Sequence, residues 1–157
     1  MRSQGANGGG RFSVEIEVAN YGDLALMNRG LLPPDQVRKE SLQAVVDSGA
    51  TKLVLPQAVV KRLGLPMGDK ILVRYADGRR VRREGAEGVY VQLLGRHGIF
   101  TAIVEPKRTT ALVGAIVLED LDLLVDCSAQ RVVPRDPRGA IYEIGCEGAG
   151  VVVRTGR

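Results

Sequence analysis

The chain has 157 residues, of which 45% are apolar and 25% charged, with 20 glycines, no Trp and a net charge of +4. That suffices for one domain with its own core and excludes a disordered or membrane-spanning chain: no apolar run reaches the length of a span. Residues 1–10 carry no apolar signal core and the two cysteines, Cys127 and Cys146, form no metal motif or disulfide framework, so a cytoplasmic location is expected. Two reduced, partly buried thiols are expected, a single bridge being the alternative.

Met1 to Gly10 is Gly-rich and polar and reads as a flexible leader. Residues 11–134 are expected to form the folded domain and 135–157 a tail. Phe12, Val14, Ile16 and Val18 alternate with polar residues, which predicts a half-buried strand. Residues 19–40 lose that period. They are long for a loop, so a short helix is expected among them before the Pro33-Pro34 connection.

Leu42 to Val46 is an apolar strand ending in the turn signal Asp47-Ser48-Gly49, and Leu53 to Leu55 makes a second apolar segment. Pro56 is expected in the first turn of a helix carrying Val59, Val60 and Leu63 and stopped by Gly64. Ile71 to Tyr75 and Arg79 to Glu84 flank Ala76-Asp77-Gly78, a hairpin signal because Gly takes positive φ at no steric cost. Arg79, Arg80, Arg82 and Arg83 read first as a solvated hairpin edge; contact with substrate or a polyanion is the alternative.

A second strand pair, Val89 to Leu94 and Ile99 to Val104, surrounds Gly95 to Gly98, with His97 expected in the turn. A short helix over Val113 to Leu118, a strand over Leu121 to Asp126 and a last strand over Gln130 to Val133 follow, then weak apolar patches at Ala140 to Ile144 and Val151 to Val153. The pattern predicts a mostly β chain, a closed barrel or sandwich with two short helices.

The segment that points to chemistry is Ala44-Val45-Val46-Asp47-Ser48-Gly49-Ala50-Thr51. It places a carboxylate directly after a buried strand, on a tight turn followed by small residues. An acid there is expensive to ionise unless hydrogen bonds support it. Gly49 offers an uncovered backbone N–H, and Ser48 can donate or accept beside the acid. Asp-Ser-Gly alone reads first as a turn or helix cap. The preceding apolar strand, the Ala-Thr that follows, the downstream Asp-Gly hairpin and the late apolar-Gly-helix element favour a catalytic reading instead. Peptide hydrolysis by carboxylates needs two of them sharing one proton and holding one water. The chain has a single Asp-Ser-Gly, and a two-fold axis would supply the second.

At these residues the chain resembles the retropepsin-like aspartic proteases, above all their bacterial members, which carry a longer Leu-Pro-Pro segment before the catalytic strand. The likeness covers roughly residues 12–134: Val45 to Thr51 as the signature, Leu53 to Pro56 as the following strand, Tyr75 to Arg83 as the flap, and Ala111-Leu112-Val113-Gly114 as the loop beneath the site. The resemblance implies a closed antiparallel barrel of the retropepsin type and a homodimeric endopeptidase acting on peptides or proteins, with no metal or organic cofactor. It implies that Asp47 of each copy activates the water. Ser48 would cross-link the two loops, and Gly49, Ala50 and Thr51 would shape them. The flap residues Tyr75, Ala76, Asp77 and Gly78 would close over the peptide, and Leu112, Val113 and Gly114 would run under the site. Gly114-Ala115-Ile116 departs from the Gly-Arg-Asn or Gly-Arg-Asp of viral members, so the buried links of that Arg are not expected. Ala140 to Ile144 or Val151 to Val153 would supply a strand to the dimer interface.

Other readings have narrower support. His97, the only histidine, has no Gly-x-Ser-x-Gly partner and no zinc spacing. Asp69, Asp77, Glu119, Asp120, Asp122 and Asp126 lack the strand-turn-Gly context. Leu53 to Lys70 resembles the swapped-hairpin DNA binders of the AbrB type, with Arg74 to Arg83 nearby for phosphates, but covers only about a third of the chain and leaves Asp47 unused. A retropepsin-like module that binds without cutting is the third reading.

Overall fold

The structure is a computed structural model and describes residues 11–145. The expected leader, Cys146 and Val151 to Val153 lie outside the described residues. The strands are β1 (Arg11–Asn20), β2 (Lys39–Asp47), β3 (Leu53–Pro56), β4 (Ile71–Arg74), β5 (Arg80–Arg83), β6 (Gly85–Leu93), β7 (Arg96–Glu105), β8 (Ala111–Val113), β9 (Leu123–Asp126) and β10 (Arg131–Pro134). The α-helices are α1 (Tyr21–Asn28), α2 (Gln57–Leu63) and α3 (Ala115–Asp120), and Pro34–Gln36 forms one 3₁₀ turn.

Six strands close a barrel in the order β1-β2-β8-β3-β7-β6, while β4-β5 and β9-β10 are separate two-stranded ribbons. β1 pairs antiparallel with β2 along most of its length and with β6 at its far end, which closes the ring. The barrel is mostly antiparallel, as expected. Two joints are parallel, β2 with β8 and β3 with β7, and the strand periods alone did not announce them. Period-2 alternation turns Ile16, Val18, Val46, Leu53, Leu55, Val89, Val91 and Val113 inward, and all are fully buried. No helix of the described residues is long and apolar enough to cross a membrane.

The helix expected between residues 19 and 40 is α1. The Asn20 side chain caps it, accepting the Asp23 N–H at 3.0 Å. Pro56 stands one residue earlier than expected, as the N-cap of α2, because its ψ of 143° is extended, not helical. Gly64 ends α2 at φ +63°, a left-handed conformation that favours glycine, with the Arg38 guanidinium packed close beside it. Leu94 and Gly95 form the tight turn between β6 and β7, both at positive φ. This puts His97 inside β7, opposite Gln92 and stacked on Tyr90 with ring centroids 5.4 Å apart, rather than in the turn. Cys127 is exposed, not partly buried, since it follows β9 in the turn to β10. Residues 140–144 form no strand. Leu53 to Lys70 is no free hairpin either: β3 is held between β7 and β8, and Leu53, Leu55, Val59, Val60 and Leu63 belong to the common core.

Candidate active site

β2 and β3 are consecutive in sequence, yet β8 lies between them in the barrel. The loop from Ser48 to Lys52 therefore bridges the end of β8. Its register is fixed by Val46 opposite Val113 on one side and Val54 opposite Leu112 on the other. Asp47, the last residue of β2, stands where that bridge begins. Two backbone bonds from the start of α3 clamp the loop: Ala115 N–H to the Ala50 carbonyl at 2.8 Å and Ile116 N–H to the Thr51 carbonyl at 2.9 Å. Gly114 is what lets the two segments touch. A Cβ there would sit 2.5 Å from the Lys52 carbonyl oxygen and 2.8 Å from that of Ala50. So Asp47, Gly49, Ala50, Thr51, Leu112, Val113 and Gly114 form one packed unit, although the chain separates its halves by more than sixty positions.

The Asp47 carboxylate is oriented at both oxygens. Oδ1 accepts the Gly49 N–H at 3.0 Å, and the Ala50 N–H closes the turn onto the Asp47 carbonyl at 3.0 Å. Oδ2 accepts Arg11 Nε at 3.2 Å and Nη2 at 3.1 Å. Its side chain is 18% exposed, against 63% for Arg11. A carboxylate so placed is held at a fixed angle by a backbone amide on one oxygen and a guanidinium on the other. Ser48 and Gly49 are exposed at the tip of the loop.

The loop opens onto a groove of about 650 Å³ with Asp47, Gly49 and Val54 on one side and Ile71 to Ala76 on the other. Among the described strands β4 pairs only with β5, so its other edge is free along this groove. The β4–β5 turn is closed by Gly78 N–H to the Tyr75 carbonyl and Tyr75 N–H to the Arg79 carbonyl, both 2.9 Å, with Gly78 at φ +88°. Asp77 accepts the Arg79 N–H at 2.9 Å and is a turn residue, as the sequence suggests. Ala76 and Gly78 are exposed at the tip.

The β4–β5 hairpin is tied down at its base. Tyr75 donates its hydroxyl to Glu105 Oε2 at 2.5 Å and accepts Arg83 Nε at 2.9 Å, while the Arg79 guanidinium lies 4.3 Å from the Tyr75 ring centroid. Arg11 and Glu105 carry no sequence signal as partners of the site, and Arg83 stands out only as part of the hairpin's arginine run. Arg11 meets Asp47 only through the β1–β2 register, across 36 positions, for which no local signal exists. Among the described residues no group of three or more His, Cys, Asp or Glu side chains could hold a metal ion.

Comparison with known proteins adds the family. The model of the family described as "gag-polyprotein putative aspartyl protease" matches residues 36–120, from the 3₁₀ turn to the end of α3. Among solved structures, the EIAV protease complexed with the inhibitor HBY-793 is similar, with a TM-score of 0.48 and 20% identity over 71% of this chain and 88% of that one. No curated protein matches the chain.

Proposed function

This chain belongs to the gag-polyprotein aspartyl protease family, of the retropepsin-like kind, and we propose that it is an aspartic endopeptidase whose two Asp47 carboxylates meet across a homodimer axis. The observation that carries this reading is the Asp47 turn: a carboxylate oriented by Gly49, pinned from beneath by Gly114 and α3, and facing an open groove under a hairpin. One copy supplies half of an acid–base pair. In the dimer the two carboxyls share one proton, because like charges in contact do not both ionise. The ionised carboxyl takes a proton from the water as its oxygen attacks the peptide carbonyl carbon. The protonated carboxyl gives its proton to the carbonyl oxygen. Collapse of the resulting diol breaks the C–N bond: the carboxyl that took the water's proton gives it to the amine nitrogen, and the other carboxylate takes back a proton from a diol hydroxyl.

Ser48 is exposed at the loop tip, which supports a hydrogen bond from it to the partner's loop. The free edge of β4 supports binding of an extended peptide as an added strand, with Ala76 to Gly78 closing over it. In the single chain Arg11 occupies Oδ2 of Asp47. Dimerisation requires Arg11 to release that oxygen to the shared water, and its exposed side chain can swing away. No metal or organic cofactor enters this chemistry.

Replacing Asp47 by Asn keeps the shape and removes the base. Peptidase activity should fall by at least about 10²–10⁴-fold, the usual worth of a positioned acid–base group. Full activity in Asp47→Asn would end the catalytic reading. The wild-type rate should peak at mildly acidic pH, where one of the two carboxyls keeps its proton.

A further inference from the structure

We propose that the groove selects acidic peptides: Lys52, Arg74 and Arg108, with Arg80 beside Arg74, form a basic rim that binds Asp or Glu side chains flanking an apolar residue at the cleaved bond. The inference deepens the peptidase reading and rests on it.

Charge accounting carries the argument. Six charged side chains line the groove: Arg11, Asp47, Lys52, Arg74, Glu105 and Arg108. Arg11 is taken by Asp47 at 3.1 Å, and Glu105 by Arg83 at 3.5 Å and the Tyr75 hydroxyl. The three cations that remain have no ion pair among the described residues. Arg108 is held in place without being neutralised, since Nε and Nη2 bond the carbonyl and hydroxyl oxygens of Thr110 at 2.9 and 3.4 Å. Lys52 lies on the clamped loop between Asp47 and β3 and is half-buried.

The flap supplies the second observation. Three of its basic residues find acids: Lys70 with Glu84 at 3.7 Å, Arg79 with Asp77 at 3.8 Å and Arg83 with Glu105. Arg74, Arg80 and Arg82 have no ion pair among the described residues; Arg82 faces Leu72, whereas Arg74 and Arg80 stand directly opposite each other in the β4–β5 ladder. Like charges opposed in a ladder repel. A solvated edge accounts for scattered arginines but not for two facing each other beside a groove. A bound carboxylate relieves the repulsion. Between the charges the groove is apolar, with Val54, Val73, Ile103 and Leu112, which suits a peptide better than a nucleic acid strand. Tyr75, the aromatic of the groove, has one face taken by Arg79, which competes with a stacking base for it. A two-fold axis repeats the rim on both sides of the cleaved bond.

The test uses the full-length protein carrying Asp47→Asn together with Arg11→Gln, so that no further cation is freed in the groove, and three labelled peptides with the same apolar centre, flanked by Glu, Gln or Lys, followed by fluorescence anisotropy. The Glu peptide should bind about tenfold more tightly than the Lys peptide, with the gap closing as salt rises. Adding Lys52→Gln and Arg74→Gln should shrink that gap at least about twofold. Equal affinity for the Glu and Lys peptides overturns the proposal. So does tighter binding of a single-stranded oligonucleotide of the same charge, which would make the rim a nucleic-acid contact. Cleavage of the Gln peptide by the wild type, measured in parallel, separates the two claims. Cleavage without charge preference removes the acidic rim alone, and charge-selective binding without cleavage upholds the rim while removing the peptidase.

Discussion

At Asn20 one buried side chain joins three elements. Its oxygen caps α1 through the Asp23 N–H, and its amide nitrogen donates to the carbonyls of Leu63 at 2.8 Å and Gly64 at 3.3 Å, closing the end of α2. Asn20→Ala should cost about 2 kcal/mol, since it removes a cap and leaves a buried carbonyl without its donor. Urea unfolding would measure this, and an unchanged midpoint would show that the junction contributes nothing. Half of this residue's work was local in the sequence, three positions to Asp23, and Asn is a preferred N-cap residue. The other half, across more than forty positions to α2, was not. Asp47 shows the same split. Its turn and its Gly49 contact are local and could be read from Asp-Ser-Gly, whereas the Arg11 contact arises from the β1–β2 register.

At the scale of elements, β8 and α3 form the support under the candidate site. Gly114→Ala would drive a Cβ into backbone oxygens of Lys52 and Ala50, which cannot rotate away as a side chain would. The expected cost is about 1–3 kcal/mol of overpacking, paired with loss of peptidase activity as the Asp47 loop shifts. Wild-type stability in that variant would mean the loop does not rest on Gly114. The sequence exposes this element through its apolar-Gly-helix pattern, but its placement between β2 and β3 comes from parallel pairing, which leaves no mark on a three-residue strand. The hairpin β4–β5 was the clearest element in the sequence, because Asp77-Gly78 sets both its turn and its register. Its anchor at Glu105 was hidden, lying 30 positions from Tyr75.

For the whole molecule, acid sets a limit that the proposed chemistry must respect. Arg38 beside Asp23 holds that carboxyl below its ordinary 3.8, and the Ile141 N–H and then Arg135 do the same for Asp122. A depressed carboxyl stabilises the fold fully above the unfolded value and loses that contribution as pH falls through the folded one. Stability should therefore be flat through mildly acidic pH and drop below about pH 4. Asp23→Asn should shallow that drop while lowering stability at neutral pH. Thermal melts against pH would show it, and a melting temperature falling steadily from pH 7 to 5 would count against these two pairs as the acid-sensitive ties. Asp122 also fixes the start of the tail through Arg135 and Ile141. From sequence it was one acid among several, because nothing local tells a paired, buried Asp from a solvated one.

The claim that each site needs Asp47 from two chains is tested most directly by subunit mixing. A fixed amount of wild-type protein is equilibrated with an equal amount of Asp47→Asn protein, and peptide cleavage is followed. Random pairing puts half of the wild-type chains into mixed dimers, so the rate should fall to about half of that without the variant, and further with excess variant. A rate that stays constant whatever the proportion of variant would show that one chain carries a complete site, and would contradict the account.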